Sequence, residues 1–190
     1  MRRLPGRLNV FQSTMLEWRE HHPYTAVHAL RLPVVPEDGT LAAAIDAERA
    51  AMGLGLLELD RRRHRFAWRA HAGKTAIERV EGDGDAGVER EIERRMNAAF
   101  APDGALDPFR FFVVSDVHGG LLGVAYDHFI AGGDSIVGLM NRIVDRLAGA
   151  PHPSAPPQLY PPTHLPLFLR HPLRSARAIA QMPAMARSCR

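Results

Sequence analysis

The sequence predicts an α/β domain of the layered α+β sandwich type, in which helices flank a mixed sheet. Hydrophobic residues make up 46% of the 190 residues and charged residues 24%, which is typical of a globular domain with a buried core. Segments of alternating apolar residues are interspersed with segments that have apolar residues at helical spacing. Turn residues separate the two kinds of segment, so strands and helices follow each other along the chain.

The predicted elements follow the order α-β-α-β-β-β-α-β-β-α. In the first half, Asp38 and Thr40 offer capping side chains for an alanine-rich helix that ends near Gly53. The elements predicted there are a helix over 10–20, a strand over 24–34, a helix over 41–52, and strands over 54–60, 64–70 and 75–80.

The second half is predicted to end in a hairpin and a helix. Gly119 and Gly120 supply the turn of the hairpin, and apolar residues at helical spacing give the last helix one buried face. The segments predicted there are a loop over 82–87, a helix over 88–100, a loop over 101–107, a hairpin of strands 109–117 and 121–127, and a helix over 135–147.

The composition changes after Gly149, which marks a predicted domain boundary. Residues 151–162 contain six prolines, as linkers do, and 164–188 alternates apolar and basic positions. We therefore predict an N-terminal lobe over 1–149. A proline-rich linker and a basic crossover segment follow over 150–190.

Charge and cysteine usage exclude several classes of protein. All 21 acidic residues and 19 of the 24 basic residues precede residue 151, and no basic stripe with interleaved aromatics occurs there, so no nucleic-acid partner is expected. For the basic tail, a linker is favoured over a membrane-surface contact. The single cysteine, Cys189, excludes a disulfide framework and favours a reducing, cytoplasmic compartment. Neither a long apolar run nor a signal-peptide pattern is present.

The run from Tyr126 to Ile136 is the candidate for a functional site. It reads Tyr-Asp-His-Phe-Ile-Ala-Gly-Gly-Asp-Ser-Ile and places His128 at the end of an apolar strand, before a glycine turn and a helix. A histidine has an ordinary pKa of about 6.5, so a neutral imidazole can act as a general base near neutral pH. No set of His, Asp and Glu residues shows local metal-ligand spacing, so no metal is expected.

The span 97–147 resembles the chloramphenicol acetyltransferase-like superfamily, which includes the condensation domains of peptide synthetases and several acyltransferases. The family pattern is an Asn with apolar residues after it, a hairpin, the motif His-His-x-x-x-Asp-Gly and a helix. Here Asn97 and the hairpin stand in the expected order. His128 falls on the second histidine of the motif, and Gly133 falls on its glycine.

The resemblance implies an acyltransferase or condensation-type enzyme with His128 as its general base. An acyl-CoA, or the phosphopantetheine thioester of an acyl-carrier protein, would be the donor, and a hydroxyl or amine would be the acceptor. No covalently bound cofactor is expected.

Two positions depart from the motif. Asp127 stands in place of the first histidine, and Gly132 stands in place of the aspartate, which the family uses for an arginine contact. Asp134 is a candidate replacement for that aspartate. Neighbours on a strand point to opposite faces, so Asp127 is not expected to orient His128 directly. Gly132 and Gly133 are expected to let the backbone turn tightly beside the histidine.

Three alternatives remain open. The segment 129–136 also resembles the attachment site of acyl and peptidyl carrier proteins, in which Ser135 would carry phosphopantetheine; however, a carrier is an all-helical bundle, and 109–127 is predicted as a hairpin. An esterase with Ser135 as its nucleophile would need a downstream Asp-x-x-His, and Asp145 is followed by alanine at position 148. The third alternative is a degenerate, non-catalytic interaction module.

Members of this superfamily consist of two similar halves, with the active-site tunnel between them. This chain matches the N-terminal half only, and a second-half motif such as Asp-Phe-Gly-Trp-Gly is absent. We therefore expect half of a two-lobed fold. Either the sequence is truncated, or a second lobe, a second subunit or self-association completes the site.

Overall fold

The computed structural model describes residues 4–69, 74–82, 84–101, 103–116 and 119–150, together with 172, 173 and 176. One compact unit spans Met1–Tyr160 and a second spans Pro161–Arg190. In the second unit the described residues are helical and exposed. The rest of the predicted linker and crossover segment lies outside the described residues, and the boundary at 149 stays a prediction.

The first unit contains both strands and helices, in the order that follows. They are β1 (Leu4–Arg7), α1 (Val10–Trp18), β2 (Thr25–Leu32), α2 (Asp38–Met52), β3 (Leu57–Asp60), β4 (Arg65–Trp68), β5 (Ile77–Glu81), α3 (Gly84–Met96), β6 (Gly104–Leu106), β7 (Phe109–Asp116), β8 (Gly119–Asp127) and α4 (Gly133–Leu147).

The strands form two four-stranded sheets. The first sheet has the order β1-β4-β3-β6, and the second sheet has the order β2-β8-β7-β5. In the second sheet β5 runs parallel to β7, whereas β8 pairs antiparallel with both β7 and β2. The predicted α/β fold with a mixed sheet is therefore confirmed, and so is the hairpin of β7 and β8. Gly119 and Gly120, which were predicted to form its turn, instead lie in β8 opposite Asp116 and Ser115.

The two faces of the second sheet contribute to different apolar clusters. Phe111 of β7 and Tyr126 of β8 belong to the main core, together with apolar residues of α2 and α4. Phe112 and Val114 point to the other face and pack with Val88 of α3. The alternation of β7 thus buries both faces of this sheet, as expected for a strand between two layers of helix.

Several element boundaries differ from the sequence prediction, among them those of α2 and α3. Helix α2 begins at Asp38 rather than at 41. Its N-cap is therefore Glu37, which makes no side-chain capping hydrogen bond, and the predicted cap Asp38 lies inside the helix and accepts a hydrogen bond from Arg79. Helix α3 begins at Gly84, inside the predicted loop 82–87, where Asp85 places an acid in the first turn of the helix. It ends at Met96, because Phe100 leaves the helix to enter the main core.

Two short strands were not predicted. Strand β1 contains Pro5 and Gly6, which disfavour a strand, and it lies at the edge of the first sheet, where proline is tolerated. Strand β6 lies in the predicted loop 101–107 and is defined by its pairing with β3, in which Leu106 lies opposite Leu57. Three residues are too few for a periodic pattern to show.

Two adjacent charged residues of α2 are fully buried and fix this helix in place. Glu48 accepts hydrogen bonds from Arg142 and Arg146 of α4, at 2.7 and 2.6 Å. Burial alone would raise the pKa of Glu48, but the two arginines outweigh it and hold the pKa below its usual value. Arg49 donates to both carboxylate oxygens of Asp107, at 2.8 and 3.0 Å. These contacts hold helix α2 against α4 and against Asp107, which lies two residues before β7.

Substitution of Gly123 by alanine is expected to lower the free energy of unfolding by about 1–3 kcal/mol. A methyl group at this position would overlap the ring of Phe112, its fully buried partner across β7 and β8. Gly39→Ala is the matched control. Gly39 lies in α2, and a methyl group added there would meet nothing within 4 Å beyond the backbone of its own helix, so the substitution should raise stability by about 0.5 kcal/mol. Urea unfolding measures both, and equal stability of the two variants would contradict the packing argument.

Candidate active site around His128

His128 lies in the turn that joins β8 to α4. Its backbone N–H donates to the carbonyl of Tyr24 at 3.1 Å, which extends the pairing of β2 with β8 by one residue. The N–H of Ile130 then donates to the carbonyl of Asp127 at 3.1 Å and turns the chain toward α4. The imidazole is half-buried. A residue held between a sheet and the start of a helix, yet in contact with solvent, is well placed to act on a bound molecule.

Aromatic rings surround the His128 imidazole. The Tyr24 ring stacks on it, with 5.3 Å between centroids and 28° between planes, and the Tyr126 ring is tilted against it at 5.8 Å. Trp18 packs edge-on against Tyr24 at 6.0 Å. Burial raises the pKa of Tyr126 to about 12, so its hydroxyl stays neutral near pH 7. The rings fix the plane of the imidazole.

A second histidine, His28, lies on the same face of the second sheet as His128. It is half-buried on β2, and its ring centroid is 5.7 Å from that of Tyr126. The Nδ1 atom of His28 is buried and makes no hydrogen bond within the part of the chain that the structure describes. The sequence analysis missed this residue. The alternation of β2 was visible, but the pairing that brings β2 beside β8 was not.

Protonation of His28 is expected to make the protein less stable below pH 6.5. Burial and the nearby His128 lower the pKa of His28 from its ordinary value of 6.5 in the folded chain, so the unfolded chain binds this proton first. Between pH 6.5 and the lower folded value, stability therefore rises with pH. Urea unfolding at about pH 5.5 and about pH 7.5 should show a smaller pH dependence in His28→Leu than in the wild type. The exposed His22→Leu is the control, and equal slopes in both variants would refute the assignment.

Asp127 is buried on the opposite face of β8 from His128, as the strand alternation predicts. It lies opposite Thr25 on β2 and forms an ion pair with Arg19, the residue after α1. Burial raises the pKa of Asp127, and Arg19 opposes that shift. The buried contact between a carboxylate and an arginine at this turn therefore involves Asp127. The sequence analysis left its partner unidentified.

The other residues of the motif lie at the start of α4. Gly132 is the N-cap with φ −80° and ψ 161°, an ordinary extended conformation. The backbone at Gly132 therefore does not require a glycine, contrary to expectation. Gly133 instead lies against His28, since a methyl group on it would be 3.4 Å from His28 Nε2. Asp134 is exposed in the first turn of α4. Ser135 is half-buried, and its N–H donates to the carbonyl of Gly132 at 3.1 Å.

The described residues contain neither a cluster of metal ligands nor a helix that could span a membrane. Nowhere in ranges 4–69, 74–82, 84–101, 103–116 and 119–150 do three His, Cys, Asp or Glu side chains meet as a metal site would require. Within the same part of the chain, none of the helices has the length and apolar character that would let it cross a bilayer.

The comparisons with known proteins identify the fold. No family model matches the sequence, and no curated protein matches it either. Among solved structures, the first condensation domain of the calcium-dependent antibiotic synthetase matches with a TM-score of 0.62 and 13% identity, over 80% of this chain and 41% of that chain. The tallysomycin biosynthesis protein TlmII matches with a TM-score of 0.64 and 18% identity, over 77% of this chain and 39% of that chain.

The condensation domain of the Monacolin K polyketide synthase MokA gives a similar result. Its TM-score is 0.62 at 13% identity, over 96% of this chain and 42% of that chain. The chain therefore shares the fold of part of a condensation domain, as the resemblance implied. It spans roughly two-fifths of the length of these structures.

Proposed function

We propose that the chain supplies the His128-bearing half of a condensation-type acyltransferase. The observation that carries the proposal is the position of the imidazole, which is half-buried between β8 and α4 and stacked on Tyr24. A general base needs a fixed orientation and access to the acceptor. The fold supports the proposal, because solved condensation domains share it.

In the proposed reaction an imidazole nitrogen of His128 takes a proton from the acceptor hydroxyl or amine. The acceptor oxygen or nitrogen bonds at the same time to the carbonyl carbon of the thioester. When the resulting tetrahedral intermediate collapses, the carbon–sulfur bond breaks and the thiolate takes the proton from the imidazolium. His128 returns to its neutral form, and the acyl group ends on the acceptor.

The donor in this proposal is an acyl-CoA or an acyl-carrier thioester. A second lobe completes the binding channels, since the matched solved structures are more than twice as long as the matched span of this chain. That lobe would be a further part of a longer polypeptide, a separate polypeptide or a second copy of the chain. A carrier role for Ser135 is less well supported, because the described residues of the first unit form two sheets rather than a helical bundle.

The test begins with native mass spectrometry of the chain purified from its own source, which identifies any polypeptide that completes it. The purified assembly is then incubated with short- and medium-chain acyl-CoA thioesters and with amine or alcohol acceptors. Release of free CoA thiol, together with acylated acceptor, supports the proposal if it depends on His128. A phosphopantetheine mass on Ser135 would replace it with the carrier role. Partner binding without turnover would replace it with a non-catalytic interaction module.

A further inference from the structure

Helix α1 contacts the turn of His128 on both sides of that residue. Arg19, which follows α1, forms an ion pair with Asp127, and the two side chains are only 6% and 1% exposed. Gln12 of α1 donates its side-chain N–H to the carbonyl of Phe129 at 3.3 Å. The residues immediately before and after the histidine are therefore both held by this helix and the residue that follows it.

Arg19 is fixed by further contacts of its own. A second guanidinium nitrogen donates to the carbonyl of Ala101 at 2.8 Å, and the guanidinium lies 5.8 Å from the centre of the Phe129 ring. Because these contacts hold the guanidinium on several sides, it has few alternative positions. Through their ion pair, Arg19 therefore fixes the position of the Asp127 carboxylate. Without Arg19, the buried carboxylate of Asp127 would have to take up a proton or move toward water.

Another contact from α1 reaches His128 on the opposite face of the strand. Trp18 packs edge-on against Tyr24, and Tyr24 stacks on the imidazole. Because Asp127 and His128 are neighbours at a strand end, they point to opposite faces. Helix α1 thus fixes the backbone of the turn from one face and the plane of the imidazole from the other.

We infer that α1 is the element that positions His128, and that Arg19 is a positioning residue that acts through Asp127. The catalytic consequence rests on the function proposed above, whereas the positional effect can be measured without any activity. The inference gives a role to Asp127, the residue that replaces the first histidine of the motif.

The experiment records NMR spectra of the full chain with isotopically labelled histidine, at about pH 8, where histidines with ordinary pKa values are neutral. The ten histidines are distinguished by the loss of one signal in His128→Asn. Arg19→Met, Asp127→Asn and the double variant are compared with the wild type. The Cε1–H signal of His128 reports its position, because the stacked Tyr24 ring shifts it.

The charged and titratable groups near His128 define what else could move this signal. Among the described residues these groups include Tyr24, Tyr126 and His28, and also Arg19 and Arg110, which interact with the neighbouring Asp127. Arg31→Met is the matched control, because Arg31 forms an exposed ion pair with Asp85.

We expect both single variants to shift the His128 signal, and the double variant to shift it no further than either one alone. Arg31→Met should leave the signal unchanged. Arg19→Lys, which keeps the charge but loses the planar fork, should fold and show a smaller shift in the same direction. An unmoved His128 signal in Arg19→Lys and Asp127→Asn would overturn the inference and leave a purely structural ion pair. Additive shifts in the double variant would also overturn it.

In an active assembly, Arg19→Lys should lower kcat with KM almost unchanged, and a displacement of about 1 Å can cost as much as 10²-fold. The two proposals fail separately. If the Arg19 and Asp127 variants shift the His128 signal but the assembly transfers no acyl group, the proposed acyltransferase function is refuted and the positioning role is retained. Turnover that depends on His128 but not on Arg19 or Asp127 would refute the positioning role alone.

Discussion

Replacement of His128 by alanine is expected to lower the rate of acyl transfer by about 10²–10⁴-fold, the usual contribution of a general base. The loss should appear in kcat, because the imidazole acts on the proton that moves during the reaction. The free energy of unfolding should change little. The backbone N–H of residue 128 donates to the Tyr24 carbonyl, and alanine retains this hydrogen bond.

The control for this experiment is His22→Ala, which removes an exposed imidazole from the loop between α1 and β2. It should keep wild-type activity in the same assembly. Full activity in His128→Ala would end the general-base role. Equal losses in the two variants would show that the effect is not specific to the site. Urea unfolding of both variants separates loss of the base from loss of the fold.

Removal of the Asp107 carboxylate, in Asp107→Ala, is expected to lower the free energy of unfolding by about 3–5 kcal/mol. Its partner Arg49 has no exposed side-chain surface, and it would remain buried as a charge without a carboxylate. The carbonyls of Leu54 and Gly55 would still accept hydrogen bonds from Arg49, but they carry no net charge. Because Asp107 itself is 36% exposed, the lower end of the range is the better expectation.

The matched control is Asp85→Ala, which breaks the ion pair between Arg31 and Asp85. Those side chains are 49% and 89% exposed, so the loss should not exceed about 1 kcal/mol. Chemical denaturation of the two variants at the same pH measures the difference. Similar stability in both variants would show that Arg49 is tolerated in the core without its carboxylate.

The elements predicted well from the sequence are those with a long apolar pattern within one continuous segment. The hairpin of β7 and β8 and helix α4 each span enough residues for a clear apolar period, and their bounds were predicted to within two residues. Strands β1 and β6 have four and three residues, and only their partners make them strands. Local propensity cannot report a pairing partner that lies elsewhere in the chain.

The difference between patterns within one segment and contacts between distant segments also explains which residues of the candidate site were predicted. His128 was found because its strand, turn and helix are consecutive in the sequence. The contacts that surround it are distant, and Arg19 and Asp127 lie 108 positions apart. His28 was equally hidden, because only the pairing of β2 with β8 brings it beside Tyr126.

That pairing also has a consequence for the order of folding. The β7–β8 hairpin closes a short loop, whereas β2 must find β8 across about a hundred residues, which carries a larger loop-closure entropy. We therefore expect the hairpin to form early and β2 to dock late. Tyr24 and His28 belong to the segment that docks late, so His128 and Tyr126 would be in place before Tyr24 stacks on the imidazole and before His28 comes beside Tyr126.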